Sequence, residues 1–150
     1  MTAIRITSIA ASLVFASASA SALTIATNAL TADSFQTFSQ EAMDGFDLTG
    51  VVITPLGNAE AVADTAGKFR LPITSITVDS KLKIAGGQAS GSALEIARIA
   101  PPRTPSAGLK VGVVLANFSI NYYTNQVLAD TTTLGGVTVA QQPTFNFNVA

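Results

Sequence analysis

Tyr122 and Tyr123 stand side by side in a chain of 150 residues that contains no His, no Cys and no Trp. Adjacent phenols at the end of an apolar run can form part of a ligand surface, and a phenolate can ligate iron. The same rings can equally serve only to pack on a sheet and support a hairpin. Asp47, Asp64, Asp79, Glu95 and Asp130 are of the right type to act as a paired acid and base on a glycosidic bond, but their spacing selects no two of them. Asp44-Gly45-Phe46-Asp47 brings two carboxylates together without the D-x-D-x-D-G ladder and distal Glu of a calcium loop. Ser80 neighbours Lys81 and Lys83, yet strand alternation turns it away from both, which rules against a Ser–Lys dyad. The glycine-rich stretch from Gly86 to Ser92 has no Lys after its last Gly, and Ser90 lies one place late for a nucleophile elbow. It reads as a flexible turn. Asn117-Phe118-Ser119 matches a glycosylation sequon inside an expected strand, and Pro102-Arg103-Thr104-Pro105 matches PxxP inside an expected loop.

Composition narrows the chemistry further. Without His or Cys the usual zinc sets cannot be assembled, and a Ser-His-Asp triad lacks its base. No disulfide framework or thiolate chemistry is available. Charged residues make up 11% of the chain against about 25% in an ordinary domain, and the formal net charge is -1. No basic stripe marks a nucleic-acid surface. The expectation is a protein with no cofactor and no metal, whose work is not catalytic.

The elements that must position these residues begin after residue 22. Residues 1–22 read as a secretory signal peptide: Arg5, an apolar run from Ile6 to Ala16, then alternating Ala and Ser to Ala22 with overlapping A-x-A sites. The run is shorter than the roughly 20 residues a membrane-spanning helix needs. Cleavage after Ala22 starts a mature chain at Leu23 and shifts the net charge from -1 to -2 through loss of Arg5. Residues 23–150 then form a single β-rich domain outside the cytoplasm, secreted, surface-bound or periplasmic, with no membrane span.

Within that domain, Leu23 to Ala29 is β-prone. Phe35, Phe38, Ala42 or Met43, and Phe46 follow a 3.6-residue period, which predicts an amphipathic helix over 33–45 capped by Thr31 or Asp33 and stopped by Gly50. Val51–Thr54, Lys68–Ile73, Ser92–Ile99, Leu109–Tyr123, Val127–Thr132 and the Phe145/Phe147 alternation predict strands. Ile76, Val78, Ser80, Leu82 and Ile84 predict one half-buried strand, and Tyr123-Thr124-Asn125-Gln126 predicts a hairpin tip. The pattern predicts a mainly β fold, an antiparallel sandwich or small barrel, with one amphipathic helix near the start of the mature chain.

Three pieces carry a resemblance. They are Val51-Val52-Ile53-Thr54-Pro55-Leu56-Gly57-Asn58-Ala59, then Phe69-Arg70-Leu71-Pro72-Ile73-Thr74 with Gly86-Gly87 and Ala93-Leu94-Glu95-Ile96, then Leu115-Ala116-Asn117-Phe118-Ser119-Ile120-Asn121 with Val127-Leu128-Ala129-Asp130-Thr131. In that order, over about residues 30–132, they resemble secreted bacterial β-sandwich exoproteins of the PEP-CTERM-associated kind. More distantly they are similar to extracellular domains of the HtaA haem-binding type. The first resemblance implies an exported sandwich. The second implies haem held by Tyr with His, for which Tyr122 or Tyr123 stands alone here. The chain has no Pro-Glu-Pro tag, so sorting through one is not expected.

The functional expectation is a structural or adhesive surface or matrix protein that touches polysaccharide or copies of itself through strand edges. The alternatives are a small-ligand module seated between the helix and the sheet, and a carboxylate-based glycosidase.

Overall fold

The computed structural model describes residues 23–26 and 32–148. The proposed signal peptide, residues 1–22, lies outside the described residues, as do Thr31 and Val149. The elements in chain order are β1 (Leu23–Ala26), β2 (Asp33–Thr37), α1 (Gln40–Thr49), β3 (Val52–Gly57), β4 (Glu60–Ala61), β5 (Lys68–Pro72), β6 (Ser75–Val78), β7 (Ile84–Ile99), β8 (Lys110–Asn121), β9 (Gln126–Thr133) and β10 (Thr138–Asn146). Every pairing is antiparallel. A large sheet runs β1-β6-β7-β8-β9-β10, and a small one runs β2-β5-β4. β7 is long enough to hold two partners on one edge, β6 against its first half and β3 against its second. The fold is mainly β and sandwich-like, as expected, and does not close into a barrel.

The two sheets meet through a core that alternation explains. β5 turns Phe69 and Leu71 inward, onto Leu94 of β7, Leu115 and Phe118 of β8 and Ala129 of β9. Phe38, between β2 and α1, sits edge-on to Phe46 of the helix at 5.8 Å, to Phe69 at 6.1 Å and to Phe145 of β10 at 6.2 Å. One ring thus ties the helix to both sheets, in the edge-to-face geometry aromatic quadrupoles favour. Across the small sheet, Arg70 bridges Asp33 at 3.0 Å and Glu60 at 2.8 Å, joining its three strands through an exposed pair of ion pairs.

Strict alternation fails in β7 and β8 for one reason. Ala89 and Ser92 are both buried, as are Leu115 and Phe118, so each strand changes parity once. The change falls at Gly91 (φ 77°) and Asn117 (φ 51°), where the registers of β7 with β8 and β8 with β9 shift. Gln141 (φ 46°) marks a third shift, in β10 against β9. An extra left-handed residue is a β-bulge, which bends its strand and sharpens the local twist. The three bulges are linked across the sheet: Gly91 N–H donates to Asn117 Oδ1 at 3.1 Å, and Asn117 Nδ2 donates to Asp130 Oδ2 at 2.9 Å. Gln141 donates to Asp130 Oδ1 from both its backbone N–H and its Nε2, each at 3.0 Å. The large sheet is therefore creased along a line held by one carboxylate.

Three local expectations are corrected. The helix covers Gln40–Thr49 rather than 33–45; its N-cap is Ser39, which accepts from Ala42 N–H at 3.3 Å, while residues 33–37 are strand. Gly50 ends it in the left-handed conformation (φ 68°), as expected. The single strand expected from Ile76 to Ile84 is a hairpin, because Asp79 Oδ1 accepts from the N–H groups of Lys81 and Lys83 and Leu82 takes φ 59°. Gly86-Gly87 is not a turn. It lies inside β7, where a Cβ on Gly86 would stand 2.8 Å from the Ile120 carbonyl oxygen.

Candidate functional site

A cleft with a volume of about 510 Å³ opens between the end of β10 and β2. On one side it is lined by Ser34, Phe35, Gln36 and Thr37, and on the other by Phe145, Asn146, Phe147 and Asn148. Successive residues of a strand point to opposite faces, so four in a row lining one space means that the strand presents its edge there. Both edges are open. Among the described residues β2 pairs only with β5, and β10 only with β9. The floor is apolar, made by Leu71, Ala89, Phe118, Ile120 and Val127. No charged residue lines the cleft.

Local structure explains why the tail stays on this rim. Thr144 Oγ1 donates to the Val127 carbonyl at 3.0 Å, and Phe147 N–H donates to the Asn125 carbonyl at 3.0 Å. The Phe147 ring meets Tyr122 edge-on at 5.5 Å. Opposite, Phe35 is half exposed, with Lys68 Nζ 4.9 Å from its ring centre.

The hairpin tip falls at Tyr122–Asn125, one residue before the expected Tyr123–Gln126, with Asn125 at φ 54°. It separates the two tyrosines. Tyr122 joins the cleft wall. Tyr123 points elsewhere and its hydroxyl donates to Asp79 Oδ2 at 3.1 Å. That bond to Asp79 raises the Tyr123 pKa above the ordinary phenol value, which opposes a phenolate there. Asp79 in turn is held below the usual carboxylate range, first by the Lys83 N–H and then by the Lys81 N–H and Tyr123.

The carboxylates do not converge on the cleft, and none lines it. Glu95 is ion-paired with Lys110. Asp130 closes the crease, and its pKa is lowered by donors from Asn117 first and Gln141 next. Asp79 shapes its hairpin, Asp64 lies in a turn at φ 66°, and Asp47 lies on α1. Asp44, also on α1, accepts from Gln40 Nε2 at 2.8 Å. No group of three or more acidic residues able to hold a metal ion occurs among the described residues. Ser80, Lys81 and Lys83 sit exposed on the hairpin turn, so the alternation argument about them does not apply. Asn117 spends its side-chain amide on Asp130, and the Pro-rich loop folds into turns in which Thr104 Oγ1 donates to the Pro101 carbonyl at 2.9 Å. Between α1 and the strands the space is a hollow of about 270 Å³, smaller than the cleft.

Tyr122 and the Phe145/Phe147 alternation are legible in the sequence, whereas the β2 edge is not, because Phe35 falls on the helical period of Phe38 and Phe46. The signal for that edge was Ser39, a good N-cap with Glu41 in the first turn, which places residues 33–37 outside the helix. No helix of the described residues is long and apolar enough to cross a membrane. Comparison with protein-family models, with curated proteins and with solved structures gives no match to this chain.

Proposed function

We propose that this chain is an exported, non-enzymatic protein that acts by contact, a structural or adhesive surface or matrix component that assembles through strand edges. The observation that carries the reading is the cleft, in which two open strand edges border one uncharged, apolar space. Unpaired N–H and C=O groups on an edge are a template for another strand, and an apolar floor rewards its side chains. Among the residues that line it a small charged substrate would find no counter-charge; the nearby cation Lys68 is turned to the Phe35 ring. The test is the size and shape of the exported protein, by light scattering and electron microscopy. Oligomers or filaments that Asn146→Lys disperses are expected, since it places a charge on the exposed rim of the cleft. A monodisperse monomer at all concentrations overturns the reading.

Tyr122 in the cleft wall favours a second reading, a module for a small apolar ligand such as haem. Titration with haem should then give a Soret band that Tyr122→Phe removes. A flat spectrum excludes it.

A further inference from the structure

The cleft leaves open what enters it, and the two ends of the large sheet supply an answer. In the strand order β1-β6-β7-β8-β9-β10, β1 and β10 are the terminal strands. Among the described residues β1 pairs only with β6, through Leu23, Thr24, Ile25 and Ala26, which leaves its other edge without a partner there. Leu23 and Thr24 are exposed, and Leu23 keeps 59% of its surface in water. An exposed apolar edge strand is the feature that proteins ordinarily blunt with charge, proline or a bulge. β1 has none of these.

β10 is blunted along most of its length. Gln141 interrupts it with a bulge, and Pro143 offers no N–H. A second register shift falls between Pro143 and Phe145, and beyond it Phe145 and Asn146 end the strand and run on into Phe147 and Asn148, the four residues that line the cleft. The open stretch therefore has the length of β1. The chemistry matches as well: β1 carries no charge, the cleft carries none, and both combine apolar side chains with small hydroxyl or amide groups.

We propose that β1 of one copy docks by its open edge in the cleft of the next copy, antiparallel or parallel to residues 145–148, so that the large sheet continues from molecule to molecule. The proposal deepens the reading of the cleft as a contact site and rests on it. Because β1 and β10 lie at opposite ends of one sheet, the contact is head-to-tail, and a head-to-tail contact that does not close into a ring propagates as a filament.

A chain without Cys makes the test direct. Thr24→Cys and Asn146→Cys are made as separate variants of the full exported chain, mixed, and oxidised. A disulfide needs the two Cα atoms within about 7 Å, so a linked heterodimer is expected in the mixture, at least tenfold above the homodimer formed by either variant alone. A double variant should give a ladder of linked multimers on a non-reducing gel. Asn146→Lys should raise the concentration of half-assembly at least tenfold. If the chain assembles, and Asn146→Lys disperses it, but neither this mixture nor one made with Ile25→Cys, which faces Asn146 in the antiparallel arrangement, gives a linked heterodimer, β1 is not the occupant and the cleft remains the contact site. If Asn146→Lys leaves assembly unchanged, both the occupant and the cleft are wrong. The substitutions at Thr24 and Asn146 fall on exposed side chains, and circular dichroism of each variant confirms that the fold is retained.

Discussion

Replacing Asp130 with Asn changes neither the size nor the shape of the side chain but puts a donor where the crease needs an acceptor. Asp130 Oδ1 takes two bonds from Gln141, and Oδ2 takes one from Asn117. An Asn at 130 can keep its oxygen toward Gln141, which leaves its NH₂ facing the NH₂ of Asn117. Asn117 cannot turn over without withdrawing its own oxygen from Gly91 N–H. One bond is therefore lost whichever amide flips. A hydrogen bond to a charged group contributes about 1.5–3 kcal/mol, and partial exposure of Asp130 returns some of that to water, so a loss of about 1–2 kcal/mol at pH 7 is expected. The pH dependence follows from the lowered pKa of the folded carboxylate. Its stabilisation is complete above the unfolded value of about 3.9 and is lost as the pH falls through the folded value, because protonation takes away the acceptor. Urea titrations of both proteins, followed by circular dichroism at pH 7 and pH 3, measure the gap directly, and other carboxylates cancel in the difference. The gap should be largest at pH 7 and shrink at pH 3. Equal gaps at both values, or none at pH 7, would refute the account of the crease.

Three further outcomes are expected. Gly57 adopts φ 62° and a Cβ there would stand 2.0 Å from the Gly91 carbonyl oxygen, whereas Gly135, at φ 77°, has nothing within 4 Å; Gly135→Ala should cost about 1–2 kcal/mol of left-handed strain and Gly57→Ala distinctly more, compared by thermal melts. Ser92 is fully buried and its hydroxyl has no hydrogen-bond partner among the described residues, so Ser92→Ala should be neutral or stabilising by up to about 1 kcal/mol in urea titration, and a loss above that would reveal a partner. N-terminal sequencing of exported protein should begin at Leu23, and a chain that retains Arg5 would contradict the signal peptide.

The strand-rich architecture was legible because apolar alternation and turn residues repeat along the chain, and the hairpin tip at Tyr122–Asn125 fell where Asn125 tolerates a positive φ. The helix was displaced because Phe35, Phe38 and Phe46 satisfy a helical period by coincidence. Phe35 belongs to a strand and Phe38 to the joint between strand and helix, where it packs against three rings from different elements. Ser80 and Leu82 extended the alternation of β6 through a turn, since a hairpin of suitable length preserves parity while reversing direction. The bulges were hidden for the opposite reason. At Gly91 and Asn117 the strand continues but parity changes, and only the partner strand reveals the extra residue. The cleft depends on edges, and which strands end a sheet is a matter of long-range pairing that no local pattern encodes. Tyr122 could be named from the sequence, but its separation from Tyr123 could not.

The crease has a consequence for any object larger than one molecule. Gly91, Asn117 and Gln141 divide the large sheet into two panels that meet at an angle, and strand twist adds a rotation of constant hand. A contact that prolongs this sheet repeats the same angle and rotation at every copy. Such a stack winds about an axis and becomes a coiled ribbon, with a pitch written into three backbone angles and one carboxylate. Asp130, the acceptor shared by Asn117 and Gln141, then bears on curvature at a scale of many molecules.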